Sequence, residues 1–148
     1  MNIHIREISE ADCREIWEIE KSCFSDPHSE NAFIKELRSP LCSILAAYDG
    51  EKAAGYINVW FVAGELTINN IAVAEEYRRQ GIAEDLINAA IKRFPDTGQI
   101  LLEVRASNHA AQELYKKLDF NYTGTRKNYY TDPREDALLM TKTIGGEK

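Results

Sequence analysis

The 148 residues suffice for one domain, 1–148, that buries most of its apolar surface without disulfide or metal staples. Hydrophobic residues make up 44% and charged residues 28%, an ordinary globular balance, and no apolar run approaches the roughly 20 residues that cross a bilayer. With 18 basic and 24 acidic side chains the net charge is −6, which argues against general nucleic-acid affinity and suits a basic peptide or protein partner.

The opening Met1-Asn2-Ile3-His4 lacks the basic-then-apolar pattern of a secretory signal, so a cytoplasmic location is expected. Ile3 to Ile8 alternates and predicts a first strand. Ser9 and Asp12 resemble a capping box and open a helix carrying Ile16, Trp17 and Ile19. Ser25-Asp26-Pro27 interrupts it, and a second helix is predicted over 29–37, with Phe33, Ile34 and Leu37 on one side. Ser43 to Tyr48 predicts a strand, Asp49-Gly50 a hairpin turn, and Ala54 to Val62 its partner. Ala63-Gly64-Glu65 leads into a further strand over 66–73, so these three strands are antiparallel neighbours.

A helix follows over 81–94, with Ile82, Leu86, Ile87, Ala90, Ile91 and Phe94 in one apolar stripe. Pro95-Asp96-Thr97-Gly98 ends it. Ile100 to Val104 is strongly apolar and suits a buried central strand. Asn108 to Leu118 predicts a helix with Ala111, Leu114, Tyr115 and Leu118 at helical spacing. Two closing strands are predicted over 121–127 and 137–143. The order β-α-α-β-β-β-α-β-α-β-β describes a mixed α/β (α+β) layer structure. Cys13, Cys23 and Cys42 form no CxxC pair and read as reduced core thiols. His4, His28 and His109 are too scattered for a zinc site, and no metal is expected.

The most informative segment runs from Asn69-Asn70-Ile71-Ala72-Val73 through Ala74 to Tyr77 into Arg78-Arg79-Gln80-Gly81-Ile82-Ala83. Backbone amides at a helix start lack intrahelical partners, and the helix dipole adds positive character there. Gly81 permits close backbone approach to a ligand. With Arg78 and Arg79 the segment forms a candidate anion site suited to a diphosphate. The plainer alternative is a charged loop with solvated arginines. A Walker loop is excluded, since Gly-x-x-x-x-Gly-Lys is missing.

Arg-Arg-Gln-Gly-Ile-Ala, following Ile-Ala-Val, resembles the acetyl-CoA signature of the GNAT superfamily of acetyltransferases. Ala83 stands where that family often has glycine. The resemblance implies a mixed sheet of about seven strands with about four helices and a splayed pair of parallel strands, here 66–73 and 100–104. It also implies acetyl-CoA as co-substrate. Ile71, Ala72 and Val73 would meet the pantetheine arm; Arg78, Arg79, Gln80, Gly81, Ile82, Ala83 and Glu84 would enclose the diphosphate. The strand backbone near Val73 would face the acetyl carbonyl.

Leu102-Glu103-Val104-Arg105-Ala106-Ser107-Asn108, with Asn128-Tyr129-Tyr130 and Arg134-Glu135-Asp136-Ala137, resembles the bacterial RimI family. That family acetylates the N-terminal alanine of small-subunit ribosomal protein eighteen, so a ribosomal protein amino terminus is the implied partner. The likeness in motif covers roughly residues 66–140. An α-amino group of pKa roughly 7.7–8.0 must lose a proton before it attacks a thioester. Glu103, an acid in an apolar strand, is the candidate base, and burial would raise its pKa toward a useful value; the alternative is a glutamate facing solvent. Tyr115 is the candidate donor to the departing thiolate. A phenol of pKa about 10 cannot fully protonate a thiolate whose acid has a pKa of about 8.5, but a tightening hydrogen bond lowers the barrier. Asn108 suits a helix N-cap, and the resemblance adds a cofactor contact.

Two departures stand out. The segment 24–29 falls where the family's substrate loop lies, with Pro27-His28 in place of a frequent Pro-Trp. Leu118-Asp119-Phe120 replaces Leu-Gly-Phe, which puts Asp119 at a left-handed cap. Asn128-Tyr129-Tyr130 either lines a peptide groove or forms a turn with packed aromatics. Two other functions remain open at this point: acetylation of a small-molecule amine, and a non-catalytic acyl-CoA-binding module. The sequence leaves the oligomeric state open.

Overall fold

The computed structural model describes residues 2–24, 27–131 and 133–144. Ser25 and Asp26 of the expected substrate loop lie outside the described residues. The elements follow the predicted order: β1 Ile3–Glu7, α1 Cys13–Cys23, α2 Glu30–Leu37, β2 Cys42–Asp49, β3 Lys52–Val62, β4 Glu65–Val73, α3 Ile82–Arg93, β5 Gln99–Arg105, α4 His109–Lys117, β6 Asn121–Thr131 and β7 Arg134–Thr143. The seven strands run β1-β2-β3-β4-β5-β7-β6, with β4 and β5 parallel and β5–β7 and β6–β7 antiparallel. Among the described residues no helix is long and apolar enough to cross a membrane.

The chain divides into two compact units, Met1–Trp60 with Asn70–Pro95, and Phe61–Asn69 with Asp96–Lys148. In the first, β2 is buried along nearly its whole length. Ile44, Ala46 and Tyr48 join Ile16 and Ile19 of α1 and Phe33 of α2 in one apolar cluster. Alternate residues Leu45 and Ala47 are equally buried, and α3 packs against β2 with its buried Leu86, Ile87 and Ala90. A strand covered on both faces reads as a continuous apolar run, which is what Ile44-Leu45-Ala46-Ala47 shows.

Asp12 accepts the backbone N–H of Ser9 at 2.9 Å, closing the turn that admits α1. Ser29 caps α2 by accepting the Ala32 amide at 3.1 Å. Gly55 is set by close approach: a Cβ there would lie 2.7 Å from the Ala72 carbonyl oxygen.

In the second unit the expectation for β5 needs correction. Its position between β4 and β7 is central, but only Ile100, Leu102 and Val104 are buried. Gln99, Leu101, Glu103 and Arg105 alternate onto a less covered face, because side chains of a strand repeat every second residue. The closing strands are longer than predicted, since residues 128–131 and 134–136 extend the β6–β7 ladder through polar sequence. A register shift between Arg126 and Tyr130 interrupts this ladder, and Asn128 takes a φ of 52° within it. Such a bulge re-aims the side chains beside it.

Candidate active site

From Asn70 onward the cradle segment lies in the first unit. The three-residue turn Glu75–Tyr77 seats Tyr77 in the interior, where its hydroxyl donates to Asp49 at 3.0 Å. The Ala74 amide donates to the Ala54 carbonyl at 2.8 Å, fixing the exit from β4. Arg79 and Gly81 both sit in the left-handed region, at φ 63° and 81°. From Gly81 the chain enters α3, whose opening bond runs from the Asp85 amide to the Gly81 carbonyl at 3.0 Å. The amides of Ile82, Ala83 and Glu84 precede any intrahelical acceptor and face out of the helix start.

Gly81 is required here for its backbone angle: a Cβ would meet nothing within 4 Å. That open space, the small Ala83 in the first turn and the outward amides fit a diphosphate. Arg78 is exposed, but its side chain is held by two contacts. Its Nε donates to the Val73 carbonyl at 3.0 Å and its Nη2 lies 3.4 Å from Cys23 Sγ, so its cation ties the end of β4 to α1. Arg79 and Gln80 are exposed, and Gln80 Nε2 donates to the Glu76 carbonyl at 3.5 Å. Ile71 and Val73 are half-buried and Ala72 is buried.

A separate acidic cluster lies in the second unit. The parallel ladder of β4 and β5 ends at Ile68↔Leu102, one residue before Glu103. The Glu103 carboxylate is ion-paired with Arg126 of β6, its side chain 29% exposed, and it also accepts the Tyr129 hydroxyl. The deep burial expected of Glu103 is therefore absent: it stands on the half-covered face of β5 and is held by a cation and a phenol. The Glu103 charge, burial and this hydrogen bond together push the Tyr129 phenol upward in pKa.

Tyr115 is buried at 7% exposure on α4, its ring edge-on to Phe120 at 5.6 Å. Burial, then the neighbouring Tyr130, raise its pKa, so the phenol stays a proton donor through the physiological range. Its position follows from how α4 ends. Asp119, at φ 72°, donates its amide to the Lys116 carbonyl at 3.0 Å, and Phe120 donates to the Tyr115 carbonyl at 2.9 Å. These two bonds and the Phe120–Tyr115 contact make a Schellman ending. Asn108 caps the other end, accepting the Ala111 amide at 3.1 Å.

The acidic motif after β6 acquires structural roles. Glu135 accepts the Ser107 amide at 3.2 Å and hydroxyl at 3.0 Å and pairs with Arg105 at 3.1 Å, bracing the turn between β5 and α4. Asp136 accepts the Asn128 amide at 2.9 Å and Lys127 at 3.2 Å, pinning the bulge that carries Tyr129 and Tyr130. The rings of Tyr129 and Tyr130 meet edge-on at 5.2 Å, and Arg105 lies 4.2 Å over Tyr130. The structure thus gathers Glu103, Arg126, Tyr129, Tyr130 and Tyr115 within one unit.

Sequence reasoning missed Arg126, Tyr77 and Glu20. Arg126 reaches Glu103 across β7 with a register the bulge disrupts, so spacing carried no signal for it. Tyr77 and Glu20 did have one: an aromatic in a polar loop, and an acid on the apolar side of a helix.

Both the sequence and the fold have known relatives. The acetyltransferase (GNAT) family profile matches residues 13–120. A Bacillus subtilis protein, provisionally named a ribosomal protein bS18-alanine N-acetyltransferase, is 41% identical over 143 residues, covering 95% of each chain. The Escherichia coli ribosomal protein bS18-alanine N-acetyltransferase is 36% identical over 144 residues, 95% of this chain and 97% of its own. A crystal structure of the Escherichia coli ribosomal-protein-S18-alanine N-acetyltransferase superposes with a TM-score of 0.89, covering 99% of this chain and 97% of that one. By profile, identity and fold, this chain belongs to the acetyltransferase (GNAT) family.

Proposed function

We propose that this chain, working as a single acetyltransferase domain in the cytoplasm, moves the acetyl group of acetyl-CoA to the N-terminal amine of a protein. The acceptor we assign is the N-terminal alanine of ribosomal protein bS18, the substrate named for its relatives in Bacillus subtilis and Escherichia coli. The observation that carries the reading is the end of the β4–β5 ladder at Ile68↔Leu102, with a carboxylate on the next residue. Two parallel strands that stop pairing leave backbone groups without a ladder partner, and Glu103 stands beside them.

Acetyl-CoA supplies an activated acyl thioester. Glu103 accepts the proton that the acceptor ammonium must lose, directly or through one water. Arg126 and Tyr129 hold that carboxylate in place and yield to the amine as it arrives. The Tyr115 hydroxyl donates a hydrogen bond to the sulfur as the carbon–sulfur bond breaks and charge gathers there. Arg79 to Glu84 grip the diphosphate through the outward amides, Ile71 to Val73 offer strand backbone to the pantetheine, and Asn108 adds a contact from the start of α4. Arg78 serves by fixing the Val73 carbonyl.

The deciding experiment measures CoA release with alanine-initiated basic peptides against polyamines and aminoglycosides, followed by intact mass of bS18 before and after treatment. A gain of one acetyl on the bS18 terminus is expected. Turnover of polyamines or aminoglycosides with none on peptides would replace this reading with a small-molecule acetyltransferase. Tight acetyl-CoA binding without turnover on any amine would reduce the chain to an acyl-CoA-binding module.

A further inference from the structure

Around the bulge of the β6–β7 ladder, three cations are matched to three acids. Arg105 pairs with Glu135 at 3.1 Å, Lys127 with Asp136 at 3.2 Å, and Arg126 with Glu103. Glu135 and Asp136 also accept backbone amides, of Ser107 and Asn128, so those two pairs hold the chain. Glu103 instead meets two side chains, the guanidinium of Arg126 and the hydroxyl of Tyr129. Arg126 in turn lies 5.7 Å over the Tyr129 ring.

Strand register explains how Arg126 comes to this carboxylate. Glu103 stands opposite Leu139 of β7, and Arg126 stands opposite Ala137, on the same face of the sheet. The long Arg126 side chain therefore reaches Glu103 on the diagonal across β7. Both partners remain open to solvent, the Arg126 side chain at 57% exposure and that of Glu103 at 29%. An ion pair this exposed adds little to stability, so folding alone does not call for it.

What the pair does change is the charge that an incoming acceptor meets. A bare carboxylate attracts any ammonium ion. A carboxylate already matched by a guanidinium does not, and the guanidinium repels a second cation. Amines differ in how often they arrive charged. At about pH 7.5 roughly a third of an α-amine of pKa roughly 7.7–8.0 is neutral, against about one in a thousand of a lysine side chain of pKa about 10.4. We propose that Arg126 is a specificity-determining residue: by matching the charge of Glu103 it turns away acceptors that arrive as cations, favouring an α-amine over a lysine side chain. The assignment rests on the protein-acetylation reading above, with Glu103 as base. The neutral amine attacks the acetyl carbon, the carbon–sulfur bond breaks, and the proton left on nitrogen passes to Glu103.

The test compares kcat/KM of full-length wild type, R126Q and R126K at about pH 7.5 on two peptides. One is an alanine-initiated bS18 peptide; the other is a matched peptide whose only amine is a lysine side chain. In R126Q the unmatched carboxylate captures ammonium ions and takes their proton in place. That helps the lysine peptide most, because nearly all of it is charged. Two unit charges about 4 Å apart interact strongly enough for about a fivefold effect even in bulk water, and for more near a protein surface. The preference for the α-amine is therefore expected to fall about tenfold in R126Q and to stay within about twofold of wild type in R126K, which keeps the charge. A preference unmoved in R126Q, with both acceptors slowed alike, would show that Arg126 only holds Glu103 and would overturn the proposal. So would a preference that falls as far in R126K. Arg126 stands on the edge strand β6, where a substitution leaves the core intact. Should R126Q still fail to fold, R126M, which keeps the unbranched stem, is read by the same criterion. No turnover of the α-amine peptide by the wild type strikes the acetylation reading itself, and this assignment falls with it; wild-type turnover leaves that reading standing whatever the variants show.

Discussion

The cradle and the acid cluster are built of different materials and, on the proposed reading, solve different problems. The cradle is built of main chain: two left-handed residues, Arg79 and Gly81, turn the amides at the start of α3 outward, and the side chains around them are exposed or tied elsewhere. The acid cluster is built of side chains: Glu103, Arg126, Tyr129, Tyr130 and Tyr115, braced by Glu135 and Asp136. A diphosphate is the same in every turnover and needs only fixed dipoles. A proton must move between particular atoms, and only titratable groups do that. Changes in side-chain chemistry should thus be felt most in the cluster, and changes in backbone angle most in the cradle.

The largest contrast is expected from Glu103→Gln. Removing the proposed proton acceptor should lower kcat by at least about 100-fold at neutral pH, within the range general bases supply. Acetyl-CoA affinity, which we assign to the cradle, should hold. Raising the pH from 7 toward 9 converts the α-amino group, pKa roughly 7.7–8.0, to its neutral form, so the variant should regain part of its rate relative to wild type. Turnover unaffected at pH 7 would remove Glu103 from the base role. On the role proposed for Tyr115, Tyr115→Phe removes a hydrogen bond from the leaving group and should cost about tenfold in kcat. A circular dichroism melt like the wild type's would show that the loss is chemical.

How much of this was legible depends on whether a feature is local. The turn into α3 is contiguous, and Gly81 ahead of an apolar helical stripe announced it, though the engagement of Arg78 with Val73 and Cys23 was beyond any local pattern. The element order was legible because turns and periodicity are local signals. Asp119 in the left-handed region was foreseen from one residue out of keeping with its neighbours. Glu103 was visible as an acid in an apolar strand, but its surroundings were not, since Arg126 and Tyr129 arrive across β7 through a bulge. The split of β5 into a covered and a less covered face was likewise hidden, because an all-apolar stretch such as Ile100-Leu101-Leu102 conceals its period.

Gly81→Ala sharpens the cradle side of the comparison. No neighbour obstructs the added methyl, so the cost comes from the backbone angle alone, φ 81°. A left-handed L-residue costs about 1–2 kcal/mol, so the acetyl-CoA dissociation constant should rise about fivefold or more, provided the strained turn is the binding conformation. Titration calorimetry reads this directly, and kcat at saturating acetyl-CoA should stay near wild type. An unaltered dissociation constant would mean that the amides at the start of α3 do not grip the cofactor.

Asp119→Gly probes the smallest effect and the boundary between packing and chemistry. Asp119 pays conformational strain at φ 72° to complete the Schellman ending of α4, and that ending seats Phe120 against Tyr115. Glycine adopts this angle freely, but it also loosens the unfolded chain, which offsets part of the gain. The net should be a stabilisation of about 0.5–1 kcal/mol, read as a higher midpoint in urea at unchanged slope. Because both amide bonds and the Phe120 contact survive the change, Tyr115 keeps its place and kcat should be unaltered. A stability gain accompanied by slower turnover would show that the Asp119 carboxylate itself serves the reaction, and would extend the side-chain-built region to the end of α4.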